Sequence, residues 1–357
     1  MRLVSRYPLL IFMWLLSVDA AEQSRDTQAV FPPLGHKTER LRFHTGATRN
    51  NQPEISPVLP DIPGAPSDWF VAQWSQQEII VPKAMQRLVD ETRDPRLGVA
   101  AYAFTSPDHH SHVWIYQSSG RDPIYELYEE DGVLSAAGGS NIFLSATTGP
   151  AGPSLDYNIE YRVDAKLSRA SVKYLTPTAK ESGVVLGQVF TGFVIQFPNP
   201  ETKRPSTLFL QIPHSASKPI GDYRSCNESD GSLTITSGNH LPGDEILEFA
   251  ASTGPLKHLR YSVNRFVCDL ITRPLQCKGP GAPPTTTLID RVTTFSDWKI
   301  KSIYVGLETE ARDVRPRAEN NSLQGRVAVG LQISSLHVER DWGEPFAPRD
   351  CARFKLP

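Results

Sequence analysis

From Asp156 to Leu167 apolar and polar residues alternate without a break. Tyr157, Ile159, Tyr161, Val163, Ala165 and Leu167 take the odd positions; Asp156, Asn158, Glu160, Arg162, Asp164 and Lys166 take the even ones. A period of two belongs to an extended strand with one buried and one wet face, because successive side chains of a strand point to opposite sides. After Ser168-Arg169 the apolar set passes to even positions, Ala170, Val172 and Tyr174. Such a parity switch requires a bulge or a bend. Val184–Phe197 is apolar on both parities and predicts a central strand covered on both sides, with Gly187 and Gly192 permitting close approach. Arg326–Arg340 alternates through Val327, Val329, Leu331 and Ile333, then changes parity after Ser334-Ser335 to Leu336 and Val338. Trp298–Glu310 carries Ile303, Val305 and Leu307 on one face. The spacing predicts that these last two stretches pair as an antiparallel hairpin around the Arg-rich loop between them.

Many long, bulged strands and one short helix predict an all-β chain, a large antiparallel β-sandwich of the jelly-roll type. The helix is expected from Pro82, a first-turn proline, through Met85, Leu88 and Val89 to a stop at Asp94-Pro95. The sandwich is expected over residues 67–342 and a short tail over 343–357. Residues 21–66 hold seven prolines and no periodicity, which reads as an arm or linker.

The first segment reads as an address. Arg2 and Arg6 precede the apolar run from Tyr7 to Val18, and Val18-Asp19-Ala20 offers small residues for cleavage after Ala20. The run is too short for a permanent membrane helix, so residues 1–20 are expected to be a secretory signal peptide and the protein secreted or periplasmic, without integral membrane association after cleavage. Cys226, Cys268, Cys277 and Cys351 all follow that segment. An even count in an exported chain implies disulfides, with three pairings open; the sequence distances favour Cys268 with Cys277 and Cys226 with Cys351. There is no Cys-x-x-Cys, so no metal or other cofactor is expected. Lys and Arg number 37 against 39 Asp and Glu, a net charge of -2, which excludes a nucleic-acid binder driven by phosphate contacts.

Several groups are candidates for chemistry. Glu308 and Glu310 lie two apart on one strand face, with backbones about 6.5 Å apart, a spacing compatible with paired carboxylates in general acid/base work. Glu160 and Asp164, about 13 Å apart on their strand, are too distant for that. Glu160, Arg162 and Lys166 on the wet face, with Arg312 and Arg315 in the late loop, are candidate contacts for an acidic ligand, since arginine forks suit carboxylates and sulfates. His109, His110 and His112 are clustered but lack a spaced further ligand. Asn227-Glu228-Ser229 and Asn320-Asn321-Ser322 match the glycosylation acceptor pattern.

Three stretches carry a resemblance: Glu160-Tyr161-Arg162, then Gln211-Ile212-Pro213-His214, then Tyr304-Val305-Gly306-Leu307-Glu308-Thr309-Glu310. In this order they resemble the alginate lyases of the concanavalin A-like jelly-roll group, over roughly Asp156 to Val338. The resemblance implies that Arg162 and Gln211 would neutralise a uronate carboxylate, that His214 would remove the C5 proton, and that Tyr304 would be the acid. The expectation is therefore a secreted β-sandwich that recognises polysaccharide, an acidic one among the candidates, with or without cleaving it by β-elimination. Its rivals are a glycoside hydrolase using Glu308 and Glu310, and a non-catalytic exported scaffold acting through the proline-rich arm.

Overall fold

The computed structural model describes residues 27–31, 33–34, 41–43, 69–74, 81–82, 100–105, 111–116, 124–131, 140–148, 152–175, 184–198, 205–218, 223–229, 232–238, 246–249, 254–273, 277–278, 292, 294–312 and 325–353. The early strands are β1 (Thr27–Ala29), β2 (Leu41–Phe43), β3 (Trp69–Trp74), β4 (Val81–Pro82), β5 (Ala100–Thr105), β6 (Ser111–Tyr116), β7 (Ile124–Asp131) and β8 (Ser140–Thr147). The long central ones are β9 (Asn158–Tyr174), β10 (Val184–Pro198) and β11 (Pro205–Ala216), followed by β12 (Tyr223–Ser229), β13 (Ser232–Gly238) and β14 (Lys257–Ser262). Helix α1 (Val263–Thr272), β15 (Cys277–Lys278), β16 (Lys299–Arg312) and β17 (Gly325–Asp341) complete the order, before a 3-10 turn at Pro348–Arg353.

These strands form two sheets. An eight-stranded sheet runs β14-β9-β17-β7-β6-β5-β4, with β1 added to β17. A nine-stranded sheet runs β15-β12-β13-β11-β10-β16-β8-β3-β2. Most pairs are antiparallel; β2–β3, β11–β13 and β12–β15 are parallel. The two inner faces meet in one apolar core that includes Leu127, Tyr161, Val163, Val189, Phe193, Val305, Leu307, Val329 and Leu331. This is the expected jelly-roll sandwich. Gly187 marks a close approach of the sheets, since a Cβ there would stand 2.6 Å from Val327 Cγ2 and 2.7 Å from Val329 Cγ2.

Both parity switches correspond to bulges between β9 and β17. Gly330 pairs with Arg169 and Leu331 with Leu167, so Ser168 is the extra residue; Ile333 pairs with Ala165 and Ser335 with Asp164, so Ser334 is the other. β10 lies between β11 and β16, in the middle of its sheet.

The expected hairpin between the last two long strands does not form. β16 pairs with β10 and β8, whereas β17 pairs with β9 and β7. The chain crosses from one sheet to the other between them, and the apolar faces of β16 and β17 pack against each other through the core. Period-2 patterning shows which side is buried but not which strand is the neighbour.

The helix expected from Pro82 is also corrected at its start, because Pro82 is a strand residue opposite Phe104; residues 83–99 lie outside the described residues. Among the described residues the α-helix is α1, directly before Pro274. Val263, Phe266, Val267, Leu270 and Ile271 recur at helical spacing and are buried. Arg273 ends it in an extended conformation (φ -108°, ψ 149°), as a residue before proline prefers. The Asn264 side chain accepts from Ile159 N (2.8 Å) and donates to Leu155 O (2.9 Å) and Tyr157 O (3.1 Å), fixing the helix to the entry of β9.

Parts of the proline-rich stretch and of the tail belong to the sandwich. β1 extends the edge of β17 beyond the reach of β7, with Ala29 opposite Glu339. Phe31 and Leu34 are 2% and 1% exposed within the core. Burial of two large apolar side chains makes this piece structural and takes it away from the scaffold reading. Phe31→Ala is expected to lower unfolding stability by about 3 kcal/mol in urea titrations; a free linker would show no change. At the other end, Phe346 stacks on Phe295 with centroids 5.5 Å apart, and Cys351 is disulfide-bonded to Cys268. That bond replaces the pairing favoured by sequence distance. The backbone sets Cys226 opposite Cys277 on β12 and β15.

Candidate functional site

The residues singled out in sequence fall in three separate places. The first is the outer face of the eight-stranded sheet. Odd positions of β9 from Ile159 to Leu167 are buried, so Glu160, Arg162 and Lys166 face away from the core. Arg162 Nη2 lies 3.3 Å from Glu160 and 3.5 Å from Glu339, and Arg260 also pairs with Glu160. His258 Nδ1 meets Asp164 at 2.6 Å. Alternating charges answer one another across three strands, the arrangement of a solvated ladder of modest energetic weight. Lys166 stands opposite Gln332 in the same face.

The second place is the interior. Pro213 has no N–H to give to the ladder, and the register slips there: Phe190 pairs with Pro213 and Val189 with Ser215, so His214 is the extra residue of a bulge. The imidazole shares the even parity of the buried Leu208, Leu210 and Ile212 and faces inward, where it is 2% exposed. Its Nε2 shares a hydrogen bond with Thr191 Oγ1 at 2.7 Å, and that oxygen shares another, also 2.7 Å, with the Tyr161 hydroxyl from the facing sheet. The rings of Tyr161 and Tyr261 lie 6.0 Å from the imidazole. Burial pushes His214 down to about 3 and raises Tyr161 well above its ordinary value, the Thr191 bond opposing the latter.

The third place is the outer face of the nine-stranded sheet. Leu210 and Ile212 of β11 are buried, as are Ile303, Val305 and Leu307 of β16, so Gln211, Tyr304 and Glu308 point to the other side. Tyr304 is hydrogen-bonded to Gln211. Burial pushes its phenol up to about 12; the Gln211 bond pulls it down, and the Glu308 charge pushes it up. The Gln188 amide, directly opposite Glu308 in register, donates to Glu308 Oε2. Phe143, Phe190 and Tyr304 form a small aromatic cluster on this face, separate from the main core, with Phe190 and Phe143 in the row between Tyr304 and Glu308. Glu310 follows two residues along, opposite Leu186; its side chain, that of Arg312, and all of Arg315 lie outside the described residues.

The four residues implied by the lyase resemblance are therefore divided. Gln211 and Tyr304 touch, Arg162 lies on the opposite outer surface, and His214 is enclosed between the sheets. A proton abstraction at one sugar carbon needs the base, the acid and the carboxylate-neutralising group around the same ring, and this arrangement does not supply it. Gln188 and Phe190 were not singled out in sequence as site residues; their even positions on β10 were the signal, because they share an outward face.

Among the described residues no group of three His, Cys, Asp or Glu side chains converges as metal ligands would. His112 stacks on Tyr128 with centroids 4.8 Å apart; His109 and His110 lie outside the described residues.

No protein-family model matches the chain, and no curated protein matches it. Solved structures give low-level likenesses. The family 11 xylanase from Neocallimastix patriciarum is 9% identical, with a TM-score of 0.30 over 67% of this chain and 90% of that one. A family 12 glycoside hydrolase is 12% identical, with a TM-score of 0.31 over 74% and 100%. The endoglucanase cel12A from Rhodothermus marinus is 9% identical, with a TM-score of 0.27 over 67% and 93%. Likeness this slight speaks for neither the fold nor the chemistry, which rest on the strands and side chains described above.

Proposed function

We propose that the chain is an exported polysaccharide-recognising protein that grips a neutral glycan on the outer face of the nine-stranded sheet and hydrolyses it with Glu308 and Glu310. One observation carries this reading: two polar pairs, Gln211 with Tyr304 and Gln188 with Glu308, share the outer face of three adjacent strands, with Phe143 and Phe190 in the row between them. Amides and a phenol offer uncharged donors and acceptors, which suit sugar hydroxyls. A carboxylate on the face would repel a polyuronate, and of the cationic groups that favoured an acidic glycan Arg162 and Lys166 are on the far sheet, while Arg312 stands at the end of β16.

Hydrolysis is favoured over elimination by the same geometry. The Gln188 amide donates to Glu308 and so stabilises its ionised form. Glu308 is then the nucleophile or base, and Glu310, one strand repeat away, is the proton donor to the leaving oxygen. Export is supported by the basic and apolar start of the chain and by the Cys268–Cys351 bond, which needs an oxidising compartment.

The test is incubation with xylan, mixed-linkage β-glucan and polyuronate. New reducing ends from a neutral polymer are expected, falling roughly a thousandfold in Glu308→Gln while the variant still binds. Products that absorb in the ultraviolet from the polyuronate would mark elimination and overturn the assignment.

A further inference from the structure

One side chain bridges three strands of the nine-stranded sheet. Tyr304 stands on β16 and Gln211 on β11, and Gly192 of β10 is the register partner of both. Neighbouring strands lie about 4.8 Å apart, so the two polar residues are separated by about 9.6 Å of sheet. A phenol spans that distance only by lying across the intervening backbone, and the hydrogen bond from Tyr304 to Gln211 places it there. A Cβ at Gly192 would fall 1.9 Å from Tyr304 Cζ, 2.2 Å from Cε2 and 2.3 Å from the phenol oxygen. Glycine alone leaves room for the ring. Phe143 and Phe190 meet it edge-on, with centroids 5.4 Å and 5.9 Å away. A glycine in mid-strand weakens the strand, so its presence at the centre of this sheet marks what passes over it.

We propose that Gly192 is a positioning residue of the glycan-binding face: its bare α-carbon holds the Tyr304 phenol across β10 against Gln211, and the resulting pair reads the hydroxyl groups of a neutral sugar beside Glu308. This rests on the reading of that face given above. The phenol and the amide together retain donors and an acceptor after bonding each other, and neither carries charge. A sugar that lacks the matching hydroxyl would leave them unpaired, which is how such a pair discriminates.

Two measurements separate positioning from binding. The first needs no ligand: in protein carrying ring-labelled tyrosine, the NMR resonance assigned to Tyr304 by its loss in Tyr304→Phe should move in Gly192→Ala, because the methyl evicts the ring. The second is calorimetric titration with xylohexaose and cellohexaose. Gly192→Ala and Tyr304→Phe should each weaken binding about tenfold, and the double variant should be no weaker than either. In a Tyr304→Ala background, where the space is open, Gly192→Ala should leave binding unchanged and should not lower thermal stability. An unmoved resonance, or losses that multiply in the double variant, would overturn the proposal. If neither hexasaccharide binds the wild-type protein, the glycan reading of the face falls and the hydroxyl-reading role with it, while the NMR result still decides whether Gly192 positions Tyr304.

Discussion

Lowering the pH from 7 to 4 is expected to destabilise the protein by about 3 kcal/mol through His214 alone. The imidazole is enclosed between the sheets, and burial holds its folded-state value down at about 3, against an ordinary 6.5. Neutral His214 therefore contributes stability that is fully present above pH 6.5. In the unfolded chain the group takes up a proton as the pH falls below 6.5, whereas the folded protein resists protonation until about pH 3, so stability drops continuously between those values. The surroundings explain the resistance. Nε2 is committed to Thr191, the neighbouring rings are Tyr161 and Tyr261, and Nδ1 has no hydrogen-bond partner among the described residues. A proton added at Nδ1 would create a second buried donor and a charge with nothing to answer either. Urea unfolding at pH 7, 5 and 4 checks this. His214→Gln, which can keep the bond to Thr191 but does not titrate, should lose about 3 kcal/mol less over that range than the wild-type protein; parallel curves for the two would reject the role of His214.

Removing the Cys268–Cys351 bond is expected to cost about 4 kcal/mol and about 10 °C in Tm. The two cysteines are 83 residues apart in sequence, a long loop whose closure restricts the unfolded chain strongly. The bond joins the buried face of α1 to the C-terminal turn. The chain just before the turn is also held by Phe346 stacked on Phe295, so the turn stays partly docked without the bond. Scanning calorimetry of Cys268→Ser/Cys351→Ser against the wild-type protein measures the loss. Peptide mapping without reduction should link Cys268 to Cys351, and by elimination Cys226 to Cys277. A Cys268–Cys277 peptide would contradict the structure and restore the pairing that sequence distance favours.

The candidate site was legible only in part. Glu308, Tyr304 and Gln211 could each be picked out as polar residues on strands with a buried opposite face. Their proximity could not, because it depends on β11, β10 and β16 being consecutive in one sheet although β16 lies about a hundred residues downstream in the chain. Arg162 shows the converse. Its face was read from the alternation in β9, but β9 belongs to the other sheet, so a correct face still left it on the wrong side of the molecule. His214 shows a third limit. Its even position matches the buried Leu208, Leu210 and Ile212, so an inward face was legible, but its partners Thr191 and Tyr161, on strands elsewhere in the chain, were not.

Local patterning determined what local forces govern. The long strands, the bulges at Ser168 and Ser334, the buried face of β9 and the central character of β10 all follow from the alternation of side chains along an extended backbone. Tertiary structure decided what depends on neighbours far along the chain: that β16 and β17 lie in opposite sheets, that Phe31 and Leu34 fill the core, that Cys268 meets Cys351, and that Tyr304 reaches Gln211 over Gly192. The physical reason is common to all four. A strand's own sequence specifies which face seeks burial, but hydrophobic burial is non-directional, and many partners can satisfy it. Only packing the whole chain at once selects the partner.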